Sequence, residues 1–161
     1  MGEQNVRLLS DEATNQAFMR SLLVEVHALE RMLDMGLVES GIRRIGAEQE
    51  MFLVDKAHKP ALKALDILDV IEDENFTHEL GLFNLEANLS PRRLDGNCLR
   101  LMEEELQDVY RRAREAASRF DCDIALVGIL PTLTKNHLGL DSMVPTPRDH
   151  ALNEAICQMR G

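Results

Sequence analysis

At 161 residues and a net charge of −10, the chain is long enough for one domain. It is too acidic for a nucleic-acid or anionic-membrane partner, which would need a concentrated basic face. Hydrophobic residues at 45% and charged residues at 29% are ordinary for a soluble globular protein, and no apolar run is long enough to cross a bilayer. The opening Met1-Gly2-Glu3-Gln4-Asn5 is polar and acidic, unlike the basic-then-apolar start of a secretory signal. Cys98, Cys122 and Cys157 lie far apart without a Cys-x-x-Cys pair, which fits reduced thiols in a cytoplasmic protein. His27, His58, His78, His137 and His150 show no zinc-ligand spacing.

In chain order, Phe18, Leu22, Leu23, Val26, Leu29, Leu33 and Leu37 recur at three- and four-residue steps, predicting a helix over about 11–37. Ser10 and Asp11 can cap its start, and Gly36 and Gly41 bracket its end. The simplest expectation is a helix packed on the chain's own sheet; an inter-subunit helix is the alternative. Residues 44–55 read as a first strand, 56–60 as a turn and 62–70 as a short helix broken by Asp73-Glu74-Asn75. Residues 82–89 alternate apolar and polar, predicting a second strand that Ser90-Pro91 ends. Arg92 and Arg93 follow, with solvation the simpler expectation.

Asp95-Gly96-Asn97 is placed to cap a helix to Phe120, with Leu99, Met102, Leu106, Val109, Ala113, Ala117 and Phe120 on one stripe. Glu103-Glu104-Glu105 fall on its solvated side, near a helix N-terminus where negative charge is favoured. The uniformly apolar run 124–130 reads as a central strand. Residues 131–147 form a long polar loop with Thr132, Lys135, Asn136 and His137 as its candidate functional groups, and a closing helix starts near Arg148.

The chemistry concentrates on the two strands. Glu48 and Glu50 are two apart and point the same way; Asn84, Glu86 and Asn88 do likewise on the second strand. If the strands share a sheet, three carboxylates and two amides converge, a hard-oxygen donor set suited to Mg²⁺ or Mn²⁺ and, through the metal, to phosphate. An isolated Glu-x-Glu strand is more often just the wet face of an antiparallel sheet. No Gly-x-x-x-x-Gly-Lys phosphate loop is present.

Three segments in this order narrow the choice: 46–55 with its Glu-x-Glu, 79–91 with Asn-x-Glu-x-Asn, and 128–133 with Leu-Pro-Thr-Leu. From about Arg43 onward the chain resembles the opening third of carboxylate-amine ligases of the glutamate-cysteine ligase type 2 family. The resemblance implies an α+β fold, a mainly antiparallel sheet with helices on one face, forming part of a glutamine-synthetase-like catalytic domain. It divides the chain into an N-terminal helical segment, 1–41, and the N-terminal part of the ligase-like domain, 42–161. It also implies ATP as substrate, Mg²⁺ or Mn²⁺ held by Glu48, Glu50 and Glu86, and substrate-facing Asn84 and Asn88, with no catalytic side chain assigned. The family usually has an acidic residue where Gln49 stands; Gln49 points away from Glu48 and Glu50, so the metal site is expected to survive.

The implied function is joining an amino acid carboxylate to an amine through an acyl phosphate. The alternative is a non-catalytic ligase-like module for ligand sensing or assembly. Amino acid and ATP are the expected ligands, self-association to a homo-oligomer is expected from an unpaired sheet edge, and the rest of a longer chain is the further partner.

Overall fold

The computed structural model describes residues 12–160. Its elements are α1 (Glu12–Asp34), β1 (Arg44–Ile45), β2 (Glu48–Val54), α2 (Ala64–Ile71), β3 (Phe76–His78), β4 (Asn84–Asn88), β5 (Arg92–Arg93), α3 (Cys98–Ser118), β6 (Asp123–Ala125) and α4 (Pro147–Arg160). They fall into two units, one spanning Arg43–Pro145 and the other formed by the chain on either side of it. Mixed helices and antiparallel strands make the protein α+β, as the sequence implied.

Residues 43–145 are organised by a four-stranded antiparallel sheet in the order β3-β4-β2-β6. Period-two alternation gives it one dry face. Met51 and Leu53 of β2, Leu85 and Ala87 of β4, Phe76 of β3 and Ile124 of β6 point together into the core. Two helices cover that face. From α3 come Val109, Ala113, Ala116 and Ala117, whose small side chains let the helix axis approach the strands closely; from α2 come Ala64 and Ile67. Arg112 anchors the arrangement by donating to Asp73 at 2.7 Å while lying 5.3 Å from the centre of the Phe76 ring.

Several elements depart from expectation for identifiable reasons. The strand expected over 44–55 is interrupted at Gly46-Ala47: Arg44 and Ile45 leave the main sheet to pair with Arg93 and Arg92 in a separate ribbon. Residues 76–78, between the Asp73-Glu74-Asn75 break and the expected second strand, form β3, which makes β4 an interior strand. The run 124–130, expected as a central strand, contributes only Ile124 and Ala125 to β6, at the sheet's edge. Its later residues Leu126, Val127 and Ile129 are exposed, so uniform apolarity here does not reflect burial on two faces.

On α3, Leu99 is exposed and Cys98 takes the buried place at the start of the stripe. Asn97 occupies the N-cap position without a side-chain cap bond; the turn is made by Gly96, at φ +52°, with Cys98 N–H donating to the Asp95 carbonyl. Glu105 is not a solvated acid. It accepts from the Ser90 N–H and hydroxyl and from Arg92, stapling the exit of β4 to the helix. These bonds hold its carboxyl below the usual carboxylate range against the opposing effect of burial.

In the other unit, α1 ends in a Schellman motif. Gly36 at φ +66° lets its own N–H reach the Leu33 carbonyl and the Leu37 N–H reach the Met32 carbonyl. The Ser10 and Asp11 cap lies outside the described residues. No residue of α1 is buried, and Phe18, Leu22, Leu23, Val26, Leu29 and Leu33 form an exposed stripe. Helix α4 starts at Pro147, whose fixed φ suits the first helical turn, with the Thr146 hydroxyl accepting the Asp149 N–H at 3.1 Å. No helix of the described residues is long and apolar enough to cross a membrane.

Candidate metal centre

The face of the sheet turned away from α2 and α3 carries the polar chemistry. The β2–β4 register sets Glu48 opposite Asn88, Glu50 opposite Glu86 and Phe52 opposite Asn84. All five polar residues singled out from sequence thus share one face, while Gln49, Met51, Ala87 and Leu85 share the other. Gln49 turns its side chain amide onto the Glu50 carbonyl at 2.7 Å.

The carboxylates that actually converge are Glu50, Glu79 and Glu86, each offering an oxygen within 4.8 Å of the others. Glu48 lies one rung away, opposite Asn88, and is outside this group. Its place is taken by Glu79. Thr77 of β3 faces Glu86 across the ladder, and Glu79 continues two residues further on the same side. Parity could have identified it had 76–79 been read as a strand.

Asn88 serves the group from within: its amide donates to Glu86 at 2.8 Å and orients that carboxylate. Asn84 lies at the other end of the face, its side-chain oxygen near Gly81. At Gly81 an added Cβ would sit 3.0 Å from the Phe83 ring and 3.1 Å from that oxygen, so glycine keeps this corner open. Phe52 and Phe83 stack with ring centres 6.2 Å apart, bordering the polar face with an aromatic wall.

Crowding bears on Glu79. Partial burial, a hydrogen bond with Glu86 and the charges of Glu86 and Glu50 push the Glu79 carboxyl up to about 7 from 4.5. The unfolded chain gives up that proton at the lower value. Its contribution to stability is therefore complete below about 4.5 and lost as pH rises through about 7. Other carboxylates in the fold, among them Asp73 and Glu105, are shifted downward and act oppositely, so the comparison must be differential. In scanning fluorimetry of the metal-free protein, Glu79→Gln is expected to gain thermal stability relative to wild type as pH rises through 7. Parallel pH profiles for the two proteins would contradict this.

A cavity of about 530 Å³ elsewhere, beside β6, is bordered by Lys56, His58, Arg114, Asp121 and Asp123. Its charges satisfy one another, Lys56 with Asp121 at 2.6 Å and Arg114 with Asp123 at 2.8 Å, so its volume does not outweigh the chemistry of the carboxylate face. In the long loop, Thr132 donates to the His58 carbonyl and the His137 ring accepts from the Thr134 N–H. Two of the loop's candidate groups thus shape the loop itself.

A donor set of three carboxylates and no thiolate or imidazole matches a hard divalent cation such as Mg²⁺ or Mn²⁺. The family model for glutamate-cysteine ligase family 2 matches residues 44–159. No curated protein and no solved structure matches the chain significantly. The matched region covers well over half the sequence and contains all three converging carboxylates, and the chain belongs to the glutamate-cysteine ligase family 2.

Proposed function

We propose that this chain supplies the metal-holding face of an ATP-dependent carboxylate-amine ligase site. The observation that carries the reading is the convergence of Glu50, Glu79 and Glu86 on a solvent-facing sheet surface. Convergence of like charge is unfavourable by itself, and a bound cation gives it a purpose. Glu50, Glu79 and Glu86 are the ligands of Mg²⁺ or Mn²⁺, Asn88 orients Glu86, Glu48 lines the approach, and Asn84 faces substrate.

Ligation in this reading starts when a carboxylate oxygen of the amino acid attacks the γ-phosphorus of ATP, releasing ADP and forming an acyl phosphate. The amine then attacks the acyl carbon and inorganic phosphate leaves, with one proton lost from nitrogen. The metal, when bound, neutralises charge between two anions that otherwise repel. The protein's own contribution is to hold three acids at fixed separation, with the β2–β4 ladder as the rigid support.

Metal-dependent nucleotide binding tests the proposal. Water-proton relaxation of a Mn²⁺-loaded sample is expected to change when ATP is added to wild type and to stay unchanged with Glu50→Gln. A protein that takes up Mn²⁺ but never forms a ternary complex with ATP would instead fit the ligand-sensing or assembly module.

A further inference from the structure

Glu79 is the one member of the carboxylate group that no sheet ladder fixes. Strand β3 ends at His78, opposite Leu85, and β4 begins at Asn84, leaving 79–83 as a connection. A remote stretch of chain grips that connection from the outside. Leu82 N–H donates to the Ser142 carbonyl at 2.8 Å, and Val144 N–H donates to the Leu80 carbonyl at 2.9 Å. Between these bonds, Gly81 and Met143 form an antiparallel bridge. Both ends of the grip are sealed: Ser142 is buried, and Val144 is 1% exposed.

We infer that Ser142–Val144 is a strap that positions Glu79 in the metal centre, and that Val144 is a positioning residue for the site. The inference rests on the reading of Glu50, Glu79 and Glu86 as metal ligands. The later part of the connection is also held by the Ala64 N–H on the Leu82 carbonyl at 2.9 Å and the Leu53 N–H on the Phe83 carbonyl at 2.8 Å, whereas Leu80, next to Glu79, is bonded by the strap. Without that bond the carboxylate would have to be ordered by the incoming ion, and that ordering would be subtracted from affinity. With the backbone of Leu80 and Leu82 bonded to the strap, Glu79 is ordered beforehand. The strap terminates the long polar loop that begins at Pro131, so the arrangement also ties the loop's conformation to the geometry of the ligand set.

The test is a double-mutant cycle read by Mn²⁺ titration, with circular dichroism to confirm folding. Val144→Pro removes the N–H that bonds Leu80; Met143, at φ −91° and ψ 145°, already has a conformation that tolerates a following proline. Val144→Ala keeps the N–H and removes only packing, so it serves where proline prevents folding. In the wild-type background the strap variant is expected to weaken Mn²⁺ binding ~10-fold, the effect typical of a group that orients a ligand. In the Glu79→Gln background the same change is expected to matter by no more than about twofold, because the residue through which it acts is gone. A loss of equal size in both backgrounds, or no loss in a folded strap variant, overturns the inference. Glu50→Gln separates the two levels of argument. If Glu50→Gln leaves Mn²⁺ binding intact, the metal reading and the strap fall together; if it abolishes binding while Val144→Pro does not weaken it, only the strap falls.

Discussion

Leu85→Ala is expected to destabilise the 43–145 unit by about 2–5 kcal/mol, measured by denaturant unfolding. Leu85 is 0% exposed and sits on β4, flanked by β2 and β3, facing the cluster that includes Met51, Val109 and Ala113. Truncation leaves a cavity that the rigid strands and the alanine-lined helix cannot readily collapse to fill. For a unit of this size, each kcal/mol corresponds to roughly 4–8 °C in thermal midpoint. Leu99→Ala on the same helix-and-sheet layer is the natural comparison, since Leu99 is 62% exposed and should cost no more than about 0.5 kcal/mol. Similar losses at the two positions would mean that the dry face of the sheet has been misassigned.

Glu86→Gln is expected to act in opposite directions on stability and on metal binding. Glu86 contributes to the crowding that raises the Glu79 carboxyl, so removing its charge relieves repulsion and stabilises the metal-free protein above neutral pH. The Asn88 amide keeps an acceptor in the glutamine side-chain oxygen, so local geometry is preserved. Mn²⁺ affinity, in contrast, should fall by at least about 10–100-fold, since losing a ligand costs no less than losing a group that orients one. Stability gained at the expense of binding is the signature of acids gathered for a ligand. A sheet face that is merely wet predicts a small change in both quantities.

How far the sequence reveals this arrangement differs by element. Alternation over 84–88 and the two-residue spacing of Glu48 and Glu50 define two strands and their wet faces, because period two leaves no freedom in which side chains share a face. Glu79 escapes this logic. It lies just past a strand of three residues, on the connection to β4, and the chain bonded to that connection, Ser142 and Val144, comes some sixty positions later. The staple of Glu105 to Ser90 and Arg92 is hidden for a related reason: a run of three glutamates on a helix looks solvated until the partner loop is placed beside it. The apolar run 124–130 misleads in the other direction, since hydrophobicity records what a surface prefers to touch and not whether it is covered.

Glu50, Glu79 and Glu86 acting as one divalent-cation site has a direct thermodynamic consequence. Titration calorimetry with Mn²⁺ on four single substitutions tests it: Glu50→Gln, Glu79→Gln, Glu86→Gln, and Glu104→Gln on the exposed side of α3, where Glu104 pairs only with its helix neighbour Arg100 among the described ion pairs. Well above pH 7, where Glu79 is ionised too, each removes one negative charge, so diffuse attraction of a cation to an acidic protein falls about equally in all four. Marked loss of binding is expected in the first three and wild-type binding in the fourth. Equal, small losses in all four would contradict it.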